Sequence, residues 1–117
     1  MTLIDTTGAL ERFDNDREIY LSLVETFLEL PPPDFDGMKA DLAAGHTAGI
    51  IHDVHQLKGA ALTLGADPLA HSAAALEALL RGNTGEDTIP LLAEISGHYI
   101  GTVKELERVR DELRTHQ

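Results

Sequence analysis

The sequence predicts an all-α fold, an antiparallel up-down four-helix bundle with an additional short N-terminal helix, and three observations carry that prediction. Ala, Leu and Glu dominate the segments between breakers, and all three are good helix formers. No stretch sustains the period-two alternation of a half-buried strand. The breakers Pro31-Pro32-Pro33, Gly45, Gly65-Ala66-Asp67-Pro68 and Gly82-Asn83-Thr84-Gly85 cut the chain into five helix-like intervals, and short connections make successive amphipathic helices antiparallel neighbours. At 117 residues, with no internal repeat or low-complexity tract, residues 1–117 read as a single domain able to fold without metal or disulfide staples.

The first element expected is a short helix around Asp5–Phe13. A helix from about Asp14 to Leu30 follows, with Ile19, Tyr20, Leu23, Val24, Phe27 and Leu30 on one apolar stripe. A short helix spans about Asp34–Ala44, and a central one runs from about Thr47 to Leu64. The next helix begins at Asp67, read as its N-cap with Pro68 at the first helical position, buries Leu69, Ala73, Leu76 and Leu80, and stops at Gly82. The last, Asp87–Arg114, presents Leu92, Ile95, Tyr99, Val103, Leu106 and Leu113 to the core.

Charge narrows the function classes. Twenty Asp and Glu oppose nine Lys and Arg, a net −11; residues 1–50 carry 10 acids and 3 bases, residues 51–117 carry 10 acids and 6 bases. Nucleic acid and anionic membrane are excluded as expected partners, because each needs a concentration of Lys and Arg that this chain lacks. Zero Cys removes disulfide, thiolate-metal and cysteine-nucleophile chemistry. The N-terminus has no basic segment followed by an apolar one, and no apolar run approaches a membrane span, so the expected location is the cytoplasm. Met1 and one complete bundle favour a free-standing monomer.

The central helix carries the chemistry. Ile50, Val54, Leu57, Ala61 and Leu64 follow at spacings of 4, 3, 4 and 3, a bundle-core stripe. At about 100° per residue, His55 points roughly 140° away from the centre of that stripe, toward solvent. Ile51, His52, Lys58, Gly59 and Leu62 lie within about 60° of it. Gly59 in mid-helix costs about 1 kcal/mol relative to Ala, in a sequence that uses Ala freely at Ala60 and Ala61. A partner that approaches the backbone there would explain it. Ile51 and Leu62 suggest an apolar patch that such a partner covers. A neutral imidazole is a nucleophile at pH 7, and an ammonium one turn on can meet the oxygens of a phosphoryl group. No Gly-rich nucleotide loop accompanies them. His52 and His55 form a weak H-x-x-H pair without a third ligand, and Gln56 is a potential hydrogen-bonding neighbour.

The run His55-Gln56-Leu57-Lys58-Gly59-Ala60-Ala61-Leu62-Thr63-Leu64-Gly65-Ala66 resembles the signature of histidine-containing phosphotransfer (HPt) domains, H-x-[LI]-K-G-[AS]-[AS]-x-x-[LI]-G-A. Leu76-Glu77 and Leu80-Arg81 resemble the family's L-E-x-x-x-R region, and Ala9–Phe13 and Phe27-Leu28-Glu29 its N-terminal part. The resemblance implies that His55 accepts a phosphoryl group from a receiver aspartyl phosphate and passes it to another receiver. Lys58 would screen the phosphoryl charge and Gly59 admit the receiver's loops, with Ile51, His52, Gln56 and Leu62 as docking residues. It also implies no kinase activity and no intrinsic cofactor, the Mg²⁺ belonging to the receiver, and as partners response-regulator receiver domains and a hybrid sensor histidine kinase. Two departures stand out: the Pro31–Pro33 corner followed by Gly37, and Leu62 where small residues are frequent. The alternative is a receiver-binding helical module that has lost the chemistry; a metal-ligating bundle ranks last, because no Glu-x-x-His motif is present.

Overall fold

The computed structural model describes residues 3–82 and 87–115, and these form six helices with no strand among them. They are α1 (Thr6–Arg12), α2 (Arg17–Glu29), α3 (Phe35–Ala44), α4 (Ala48–Leu64), α5 (Asp67–Gly82) and α6 (Ile89–Thr115). The Asn83-Thr84-Gly85 part of the predicted break lies outside the described residues.

Part of the acid excess is helix capping. The carboxylates of Asp5, Asp16 and Asp34 accept backbone N–H groups in the first turns of α1, α2 and α3, at 2.9–3.2 Å. Gly45 and Gly65 end α3 and α4 in the left-handed conformation at φ 79° and 80°. Two expected boundaries shift. Asp14 and Asn15 both take positive φ, 54° and 59°, so α2 starts at Arg17 behind its Asp16 cap and not at Asp14. Asp67 already belongs to α5, whose first helical hydrogen bond runs from Ala70 N–H to the Ala66 carbonyl; Ala66, not Asp67, holds the capping position.

Helices α2, α4, α5 and α6 close a ring, α4 against α5, α5 against α6, α6 against α2 and α2 against α4, while α1 rests on α2 and α4, and α3 on α4 and α6. Tyr20, Val24, Val54, Leu69, Ala73, Leu76, Ile95 and Leu106 are essentially inaccessible at the centre. Ile19 and Leu30 leave the predicted stripe: they are 48% and 56% exposed. The buried side of α2 is Tyr20, Leu21, Val24 and Phe27, one residue round from Ile19, and Leu30 sits past the helix end in extended backbone ahead of Pro31. Leu23, Leu57, Leu80, Tyr99 and Val103 are half-buried at the margin of the core.

Among the polar groups that enter this interior are two hydroxyls at its centre. The Tyr20 hydroxyl donates to the Leu64 carbonyl at 2.7 Å, satisfying an acceptor that the end of α4 would otherwise leave without a partner, and burial pushes the phenol up to about 12. Thr102 is 1% exposed, and its hydroxyl has no partner among the described residues. Thr102→Val removes the buried hydroxyl at constant shape, so the midpoint of urea unfolding should rise, by about 1 kcal/mol in stability.

Candidate functional site

Helix α5 folds back on α4 across the Gly65-Ala66 corner, so the end of α4 meets the start of α5 and earlier residues of α4 meet later residues of α5: Leu62 shares a cleft with Asp67, and His55 reaches Glu77. The Gly65 corner is tied down by a 2.8 Å hydrogen bond from Asp5 N–H to the Gly65 carbonyl. The pairing aligns one face of α4 with one carboxylate of α5, and the site is built around that carboxylate.

Glu77 is 5% exposed, yet its carboxylate binds three residues. Oε2 lies 2.8 Å from His55 Nδ1, and Oε1 accepts from Lys58 Nζ at 2.7 Å. Arg81, one turn on in α5, donates from Nε and Nη2 to Oε2 at 2.9 and 2.8 Å. A buried carboxylate would ordinarily be raised in pKa by desolvation. Here the hydrogen bonds from Lys58, then Arg81, and more weakly His55, outweigh that cost and hold it down at about 2. Glu77 is therefore an anion at neutral pH and can only accept. It follows that His55 Nδ1 carries a proton and donates it, and that the lone pair of the neutral ring is on Nε2. The His55 side chain is 58% exposed, so a ring fixed in tautomer and orientation stays open to a partner.

The predicted site residues divide into two groups. His52, His55, Gln56, Gly59 and Leu62 lie exposed along one strip of α4, with Leu62 46% exposed. Ile51 and the Lys58 side chain are half-buried instead. They occupy the flank of α4 that α5 covers, which reduces the expected apolar patch to Leu62. The Lys58 ammonium spends one of its three protons on Glu77 and retains two. Gly59 has no steric reason within the fold: a Cβ built there meets no atom of the described residues within 4 Å. Gly59→Ala should therefore raise the melting temperature by a few degrees, from about 0.5–1 kcal/mol of backbone entropy, and any loss of function it brings should register only in assays with a partner.

Sequence reasoning missed Glu77 as a site residue. The signal was present, because Glu77 lies four residues after Ala73 and next to Leu76, a carboxylate on the apolar stripe of α5. A charge at such a position requires a partner, but which partner depends on how α5 is turned against α4, and no pattern within α5 records that.

Among known families, the Hpt domain model matches residues 22–115, a span that includes α4, α5 and every residue of the carboxylate cluster. No curated protein and no solved structure gives a significant match.

Proposed function

The chain belongs to the Hpt domain family, whose members serve two-component phosphorelays as phosphocarriers, and from that premise we propose that it carries a phosphoryl group on Nε2 of His55 between receiver domains. The observation that supports this most directly is the Glu77 carboxylate on Nδ1, which leaves Nε2 as the free nucleophile of an exposed ring.

In the uptake step the Nε2 lone pair attacks phosphorus, the Nε2–P bond forms, and the P–O bond of the receiver's aspartyl phosphate breaks, its electron pair leaving with the aspartate carboxylate. The ring becomes a phosphoimidazolium whose Nδ1 proton is shared with Glu77. Donation is the reverse: a receiver carboxylate attacks phosphorus and Nε2 departs as neutral imidazole, a good leaving group because Nδ1 has kept its proton. Glu77 contributes one negative charge, and Lys58 and Arg81 two positive ones. The cluster is net positive before the dianionic phosphoryl arrives, and the two free protons of Lys58 are available to its oxygens. The Mg²⁺ is expected in the receiver, which holds the aspartate, together with a hybrid sensor kinase as the ultimate phosphate source.

The test is to mix the purified chain with receivers bearing ³²P-aspartyl phosphate. Label should appear on the chain, be lost in acid and kept in alkali as for an N–P bond, and be assigned by phosphorus–proton NMR to Nε2 of His55. Absence of transfer, label that survives acid, or label on another residue would overturn the proposal. Receiver binding without any transfer would make the chain a docking module.

A further inference from the structure

The Pro31–Pro33 corner, the departure noted in the sequence, builds something of its own. It walls a cleft of about 480 Å³ between the end of α2, the start of α3 and the flank of α4. The floor is apolar, formed by Met38, Leu57 and the half-buried ring of Tyr99, and Leu30, 56% exposed, stands at its edge. Asp34, Asp41 and Asp53 line the rim, and no lining residue is basic. None of these three carboxylates forms a salt bridge among the described residues, although Asp34 spends one oxygen on the Gly37 N–H. Gln56, the residue after His55, also lines the cleft.

We propose that this cleft takes an arginine side chain of the docked receiver and so helps select which receivers exchange phosphate with His55; the inference rests on the phosphotransfer reading. Three arguments converge. The occupant must be cationic to answer Asp41 and Asp53, and it must also cover apolar surface. An arginine does both, its stem lying along Met38 and Leu57 and its planar guanidinium resting against the Tyr99 ring while bonding carboxylates at the rim. A lysine ammonium is more strongly hydrated and fits the aromatic floor less well. Finally, the cleft adjoins the strip that a receiver on His55 would cover, because Gln56 is an exposed residue of that strip and also lines the cleft.

The proposal separates specificity from chemistry, since the cleft shares no residue with the Glu77 cluster. The experiment compares the wild-type chain with an Asp41→Lys/Asp53→Lys variant, using as probe the purified receiver that exchanges phosphate fastest with wild type among a panel. Both positions are exposed, and melting curves of the two proteins should agree within a few degrees. The expected result is a KM for phosphotransfer raised about tenfold at low salt with kcat retained, a salt dependence that is weaker or reversed in the variant, and recovery when one surface arginine of the receiver is changed to Glu. Unchanged KM in the variant, or recovery with no arginine reversal, would overturn the cleft as a receiver site while leaving His55 phosphotransfer standing. A wild-type dimer in sedimentation that the variant dissolves would assign the cleft to a second copy of this chain and overturn the receiver as occupant. Failure of every receiver to label wild type would remove the phosphotransfer reading and this proposal with it.

Discussion

Phosphoryl uptake by a Glu77→Ala variant is expected to fall by about 10²-fold in maximal rate, with little change in the receiver concentration that half-saturates it. Removing the carboxylate frees the ring to rotate and to carry its proton on either nitrogen, so the fraction of molecules presenting Nε2 falls. It also takes away the partner that stabilises the phosphoimidazolium and leaves Lys58 and Arg81 without their common anion. Stopped reactions with labelled receiver give the rate. The same loss in labelling by phosphoramidate, which needs no docked protein, would place the defect in the imidazole and not in the interface. Glu77→Gln should retain part of the rate, since its amide oxygen can still accept from Nδ1. The pH dependence of stability separates the same variants. The folded carboxyl titrates at about 2 against an ordinary 4.5, so its contribution is complete above pH 4.5 and is withdrawn as pH falls through about 2. Wild type should lose more stability than Glu77→Gln across that window, measured by urea unfolding at successive pH values.

Gly65→Ala is expected to be among the most damaging single-atom changes to the fold. Gly65 has φ 80°, where a Cβ costs about 1–2 kcal/mol. A Cβ there would also lie 2.6 Å from the Asp5 carbonyl oxygen, a backbone atom that accepts the Ala9 N–H and cannot swing aside without disturbing α1. Together these give about 2–4 kcal/mol, a drop of roughly 10 °C in melting temperature for a chain of this length, read by circular dichroism. The loss should extend to the site, because the same corner sets the register of α5 on α4 and hence of Glu77 on His55. The glycine pair of the signature thus divides in two: Gly65 is required by the chain's own folding, whereas Gly59 faces open space and no contact among the described residues calls for it.

The helical content and the outward direction of His55 were legible because both are local: the 4-3-4-3 spacing from Ile50 to Leu64 defines a buried side, and the opposite side follows from helix geometry. The same periodicity widened the α2 stripe by one residue, admitting Ile19, because six apolar residues on a wheel do not say where the neighbouring helices stop covering them. Lys58 was legible as a charge one turn from His55, but not as a half-buried group already bound to Glu77. That bond joins residues 19 apart in sequence across a corner, and pairings of this kind are fixed by tertiary packing alone. The one cap read from the sequence, Asp67, was displaced by a single residue: Asp67 is already the first residue of α5 and Ala66 holds the capping position.

The Tyr20 hydroxyl on the Leu64 carbonyl has a mechanical consequence. At its C-terminal end α4 is held by that bond, by the Gly65 turn and by the Asp5 tie, and at mid-length by the Glu77 cluster. At its N-terminal end Thr47 makes no side-chain capping bond, and Gly49 weakens the first turn. Helix α4 is a cantilever, tied by polar bonds behind the histidine and held ahead of it by the packing of Ile50 and Val54 without a side-chain cap. Amide hydrogen exchange should accordingly slow along α4 from Ile51 toward Leu64, and a partner that presses on His52 and His55 meets the compliant end while the stem behind them holds its place.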